Sequence, residues 1–152
     1  MKSTLIGLVT CVMALGASAC SGDEDDNASA GTTVAITLQE DTVTASPTSA
    51  PAGAVTFNVR NTGMEVHEFV IVKTDLPEGQ LPMANGQVDE TAAGMTVIDE
   101  IEDIPPGSSG TVNAQLAAGK YVLICNIVEA APDGAVIANH YAEGMHMAFT
   151  VQ

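Results

Sequence analysis

At 152 residues the chain has room for one ordinary domain with a single core, and its few charges with plentiful Val, Ile, Ala and Thr suit a sandwich more than a helical bundle. Lys and Arg number 4 against 19 Asp and Glu, a formal net charge of −15 that repels nucleic acid and would steer a basic partner toward the surface. The same acidity also simply keeps an exported protein soluble.

The first residues, MKSTLIGLVTCVMALGASAC, join Lys2, an apolar run from Leu5 to Leu15 and the small residues Ala17, Ser18 and Ala19, the anatomy of an export signal over residues 1–19. The run is too short for a membrane span. A cysteine directly after small residues resembles the lipobox of bacterial lipoproteins, although Ala17 stands where Leu is usual. That resemblance implies lipidation of Cys20 as the mature N-terminus, anchored to a bacterial membrane on its periplasmic or extracellular face; a plain secretory signal with a stray thiol is the alternative. SGDEDDNASAGTT follows, too polar and acidic to offset its ordering entropy, and residues 20–32 are expected to form a flexible acidic linker. With Cys11 lost in the leader and Cys20 lipidated, Cys125 is the one thiol left in the domain at 33–152. It has no disulfide partner, and outside the cytoplasm it needs burial or a metal.

The domain begins where alternation begins, with Val34, Ile36 and Leu38 on one face of a half-buried strand. A weaker strand around residues 42–45 precedes the turn SPTSAPAG, and Val55, Phe57 and Val59 define the next strand, closed by Asn61-Thr62-Gly63. The continuous run Phe69-Val70-Ile71-Val72 predicts a strand buried on both faces, with His67 at its mouth. Residues 75–94 read as an irregular excursion containing a helical turn, with Met83 inside it and Met95 at its end as packing residues. A strand over residues 95–104 changes apolar parity between Val97 and Ile98, the mark of a bulge. Pro105-Pro106-Gly107 ends it. Val112, Ala114 and Leu116 alternate in the next strand, Ala118-Gly119 turns the chain into residues 121–125, and a last strand covers residues 145–151 with Met145, Met147, Phe149 and Val151 inward and His146 outward. Some seven short strands with regular turns and little helical periodicity predict an all-β, Greek-key β-sandwich.

Cys125, His140 and Met145 cluster near the C-terminus, and His67 arrives from far upstream. A thiolate, two imidazoles and a thioether are the donors of a blue-copper electron-transfer site. The segments NTGMEVHEFVI and GKYVLIC, followed by HYAEGM and a closing strand, are similar to the two ligand motifs of the small blue (type 1) copper proteins of the cupredoxin family, sulfocyanin-like or plastocyanin-azurin-like, over the whole domain. The resemblance implies one copper ion cycling between Cu(I) and Cu(II), held by His67, Cys125, His140 and a weak axial Met145, with the ring edge of His140 as a solvent-facing electron port. It implies a monomeric electron carrier, not an enzyme, working with a redox protein such as a basic c-type cytochrome or a terminal oxidase or reductase. Outer support falls to Asn61, which could tie the His67 loop to its neighbour, and to Asn126, which could hydrogen-bond across the site. Gly144 would let the backbone turn beneath the metal.

One departure from the family pattern is the 14 residues, 126–139, between Cys125 and His140, where the family has only a few. Loop closure costs grow slowly with length, so the insert is expected to form a small flap packed beside the copper pole; displacement of His140 would instead leave an altered or open site. Two other functions remain open at this level. One is a copper carrier or delivery protein of the cell envelope using the same donors, with a Met64, His146 and Met147 cluster as a conceivable Cu(I) exit. The other is a metal-free sandwich acting as an interaction module.

Overall fold

The computed structural model describes residues 31–152, so the export signal, Cys20 and nearly all of the linker lie outside the described residues. Two sheets pack face to face. The first is ordered β2-β1-β4-β9 and is built from Thr42–Ser46 (β2), Thr32–Gln39 (β1), Gly53–Asn61 (β4) and Ser109–Leu116 (β9). The second is ordered β3-β13-β10-β5-β8, from Ser49–Ala50 (β3), His146–Val151 (β13), Gly119–Ile124 (β10), His67–Thr74 (β5) and Met95–Ile104 (β8). Pairing is antiparallel except for β1 with β4 and β13 with β3. The all-β sandwich expected from the alternation is therefore the observed fold. The segment SPTSAPAG is more than a turn, because its short β3 leaves the first sheet and adds to the edge of the second.

The period-2 pattern places the core where it predicts. Val34, Ile36 and Leu38 on β1, Val55, Phe57 and Val59 on β4, and Val112, Ala114 and Leu116 on β9 all face the second sheet in one buried cluster. Phe57 reaches across to Phe69 on β5 and Phe149 on β13, with ring centroids 5.6 Å apart in both pairs. These tilted and edge-on contacts suit the aromatic quadrupole.

The second sheet is covered on its outer face as well. Val70, Val72, Val122 and Ile124 point away from the sandwich and pack with Leu81, Val88 and Tyr141 in a separate cluster. Residues 75–94 supply part of that cover, which is why β5 and β10 carry continuous apolar runs. The excursion holds no helical turn; it contains a two-stranded ladder of Met83–Ala84 (β6) and Gln87–Val88 (β7). Met83 is exposed rather than packed, whereas Met95 is half-buried against the outer cluster. The parity change in β8 is a bulge, since Val72 pairs with Val97 and Ile71 with Asp99.

Inward parity on β13 holds for Phe149 and Val151, with Met147 partly buried against the core. His146 is the correction. It pairs with Ile124 on the covered outer face, half-buried, with its ring 5.1 Å from that of Tyr141 and within contact distance of Gly79. Tyr141 locks this cover down: its hydroxyl donates to the Glu78 carbonyl at 2.8 Å and accepts from the Leu81 amide at 2.9 Å.

Candidate metal centre

His67 opens β5 and Cys125 directly follows β10, and these antiparallel neighbours bring the two side chains to one end of the sandwich. Sandwiches commonly gather their functional loops at such an end. The 14-residue insert does not carry His140 away from this end. Its chain folds back on itself as a hairpin of Val128–Ala130 (β11) and Val136–Asn139 (β12), with Val128 paired to Asn139. A hairpin takes up residues in opposed pairs and leaves its two ends side by side. His140 therefore emerges next to Ile127, to whose carbonyl its amide donates at 3.1 Å. The apolar run in the insert is not packed against the pole, because Val136 and Ile137 are 60% and 64% exposed.

His140 begins a single helical turn, His140–Glu143 (α1), capped by Asn139, whose side chain accepts from the Ala142 amide. Gly144 follows with φ 126°, a conformation that L side chains rarely adopt. A Cβ there would lie 2.8 Å from the Asp41 carbonyl, so the close approach that requires glycine is to the β1–β2 turn rather than to a metal. Met145 comes next, fully buried. Its carbonyl accepts from the Cys125 amide at 3.0 Å and its own amide donates to the His140 carbonyl at 2.9 Å, which stitches the three C-terminal residues together.

The side chains of His67, Cys125 and His140 converge. The two Nδ1 atoms are 3.2 Å apart, and the Cys125 Sγ lies 3.3 Å from Nδ1 of His140 and 4.0 Å from Nδ1 of His67. Bonds of about 2.0–2.3 Å to one central ion hold trigonal donors roughly 3.5–3.8 Å apart, so small adjustments suffice to admit it. Exposure is 0% for His67 and Cys125 and 2% for His140. Burial pushes the thiol up to about 11, so at neutral pH it stays protonated until a metal displaces the proton. The Glu68 amide, 3.3 Å from Sγ, is placed to stabilise the resulting thiolate. Burial, followed by the neighbouring His140 ring, lowers the His67 pKa and favours the neutral imidazole that a metal needs.

Asn61 is tied to three backbone groups. Its Nδ2 donates to the carbonyls of Glu65 and Ile104 at 2.7 and 2.8 Å, and its Oδ1 accepts from the Gly63 amide at 2.9 Å, which fixes the loop leading into His67. Asn61→Ala strips a partner from each of these groups. It should cost about 2–4 kcal/mol, read as a lower urea midpoint at unchanged m-value in the metal-free domain. Asn126 differs from expectation. Its side chain turns away from the donors, accepting from the Val88 amide at 2.7 Å and donating to the Val88 carbonyl and to Glu90, so it ties the cysteine loop to the excursion. Its backbone amide is held by Glu68 at 2.6 Å. Burial ahead of every other influence raises that Glu68 carboxyl to about 7.

Sequence reasoning passed over two further residues. Glu40, in the β1–β2 turn, accepts from the amides of Met64 and Glu65 and has Oε1 3.8 Å from Nε2 of His67. Glu65 has Oε2 3.6 Å from Nε2 of His140. The outer edge of the His140 ring thus lies beneath a carboxylate, a correction to the solvent-facing port. No spacing rule could have picked these two out of so acidic a chain.

A family profile described as a Cupredoxin-like domain matches residues 7–138. The chain belongs to the cupredoxin-like family. That match stops short of His140 and Met145; His140 comes together with His67 and Cys125 in a group that could hold a metal ion, and Met145 is buried next to it in the chain. Solved structures share the fold. Reduced auracyanin from Roseiflexus castenholzii is 24% identical, over 80% of this chain and 98% of that one, with a TM-score of 0.52. Auracyanin A from Chloroflexus aurantiacus, a blue copper protein, is 18% identical over 80% and 99%, also at 0.52. Rusticyanin from Thiobacillus ferrooxidans is 18% identical over 80% and 79%, again at 0.52. No curated protein matches the chain.

Proposed function

We propose that this protein is a mononuclear type 1 copper protein that carries single electrons between redox partners outside the cytoplasm, and that it is not an enzyme. The observation that carries the reading is the convergence of one buried thiol and two imidazole Nδ1 atoms within 3.2–4.0 Å of one another. Copper supplies the one-electron couple when bound. His67, Cys125 and His140 would hold it through a thiolate and two imidazoles, and Met145 would offer a weaker thioether. The scaffold limits rearrangement, because every donor is buried and the flanking backbone is hydrogen-bonded to a neighbouring element. Little reorganisation is the condition for a fast electron carrier.

A redox protein is the partner this reading requires. Five exposed large apolar residues, Met64, Val66, Met83, Val136 and Ile137, sit on the His67 loop, the β6–β7 ladder and the insert hairpin at the donor end. The carboxylates of Glu40, Asp41, Glu65, Glu129 and Glu143 line the adjoining cleft. Exposed apolar side chains beside a cluster of carboxylates suit a basic protein, such as a c-type cytochrome or a terminal oxidase or reductase. The leader and the cysteine at position 20 support a lipid-anchored monomer on the outer side of a bacterial membrane.

The visible spectrum tests the proposal. Adding one equivalent of Cu(II) to the metal-free domain should give an intense blue or green thiolate-to-copper absorption, bleached reversibly by a one-electron reductant. Failure to take up stoichiometric copper overturns the reading. Tight Cu(I) uptake with ready transfer to an acceptor and no reversible couple points instead to a carrier.

A further inference from the structure

Each donor ring has a second nitrogen. Nε2 of His67 and Nε2 of His140 are both buried, and neither has a hydrogen-bond partner. Both Nδ1 atoms face the thiol, so a ring that ligates through Nδ1 must carry its one proton on Nε2. A buried N–H without an acceptor is costly, and a carboxylate lies close to each: Glu40 at 3.8 Å from His67 and Glu65 at 3.6 Å from His140.

We infer that Glu40 and Glu65 are positioning residues that hold the imidazole protons of His67 and His140 on Nε2, leaving both Nδ1 atoms free for the ion. This rests on the copper reading above and extends it to the choice between oxidation states. A carboxylate that accepts from a ligating imidazole makes the ring a stronger base, which favours Cu(II) over Cu(I). The two pairs are linked. Glu40 reaches over from the opposite sheet and takes the amides of Met64 and Glu65, so the same carboxylate that faces His67 also holds the backbone from which Glu65 approaches His140. Gly63 makes room for this, since a Cβ there would collide with the Glu40 carboxylate. Removing Glu40 should therefore weaken both pairs, whereas removing Glu65 should weaken one.

Two readouts test the inference. In the metal-free protein, which needs no copper reading to hold, imidazole nitrogen NMR at neutral pH should find the His140 proton on Nε2, with its Nδ1 as the acceptor facing Cys125 and His67. Glu65→Ala should shift His140 toward the Nδ1–H form, and Glu65→Gln, whose amide oxygen still accepts, should restore Nε2–H. In the copper-loaded protein, Glu65→Ala should reduce the Cu(II) to Cu(I) affinity ratio about tenfold, which raises the reduction potential by about 59 mV, and Glu40→Ala, which loosens both pairs, should raise it further. The double variant should fall short of the sum. Glu143→Ala removes a charge from the same cleft but makes neither pair, and should have a much smaller effect on both readouts. The inference is overturned if Glu65→Ala keeps His140 wholly on Nε2–H, or if Glu143→Ala raises the potential as much as Glu65→Ala does. Absence of copper uptake by the wild-type chain would sink the electron-carrier reading alone, because the NMR experiment would still decide the proton positions.

Discussion

Cys125→Ser should abolish the intense visible absorption expected of the copper-loaded domain while leaving the sandwich folded. The band arises from charge transfer out of a thiolate, and a serine hydroxyl offers no comparable orbital or acidity. Folding survives because the site is organised by protein contacts: the Cys125 amide bonds Met145, the His140 amide bonds Ile127, and Asn61 fixes the His67 loop. Far-ultraviolet circular dichroism checks the fold, and absorption after addition of Cu(II) checks the site. His140→Ala should likewise remove the colour, since it deletes a donor 3.3 Å from the sulfur. His146→Ala should leave it nearly unchanged, because that ring lies on the outer face of the second sheet against Tyr141. The reverse result for these two histidines would refute the placement of the third donor across the insert.

Phe57→Ala should be the most damaging change to stability. Phe57 is fully buried on β4 and is the side chain through which the first sheet grips both Phe69 and Phe149 of the second. Truncation loses transfer energy and leaves a cavity between close-packed sheets, at a cost of about 3–5 kcal/mol. For a domain of this size that corresponds to a fall in Tm of roughly 10–20 °C. Calorimetry of the metal-free domain gives the value. Phe57→Leu, which refills most of the space, should cost less than half as much, and a Phe57→Ala loss below 1 kcal/mol would show that the sheets are not joined through this cluster.

By itself the sequence determined which residues face inward and which donors are present. Alternation on β1, β4 and β9 marks a strand with one wet face, and the unbroken runs of β5 and β10 mark strands with none, because successive side chains in a strand point to opposite sides. The candidate donors at positions 67, 125, 140 and 145 stand out in the sequence because few combinations of thiol, imidazole and thioether serve one chemistry. Tertiary structure decided what the local pattern could not encode. The insert reads as a long gap along the chain, yet its hairpin returns His140 to the side of Ile127, since pairing rather than length sets the distance between its ends. His146 alternates as a surface residue, yet it is half-buried because residues 75–94 cover the outer face of its sheet. Asn126 and Glu40 differ from ordinary turn formers only in what they meet, and those partners, Val88 and Glu90 for one and the loop at Met64 and Glu65 for the other, are brought near by packing between distant segments.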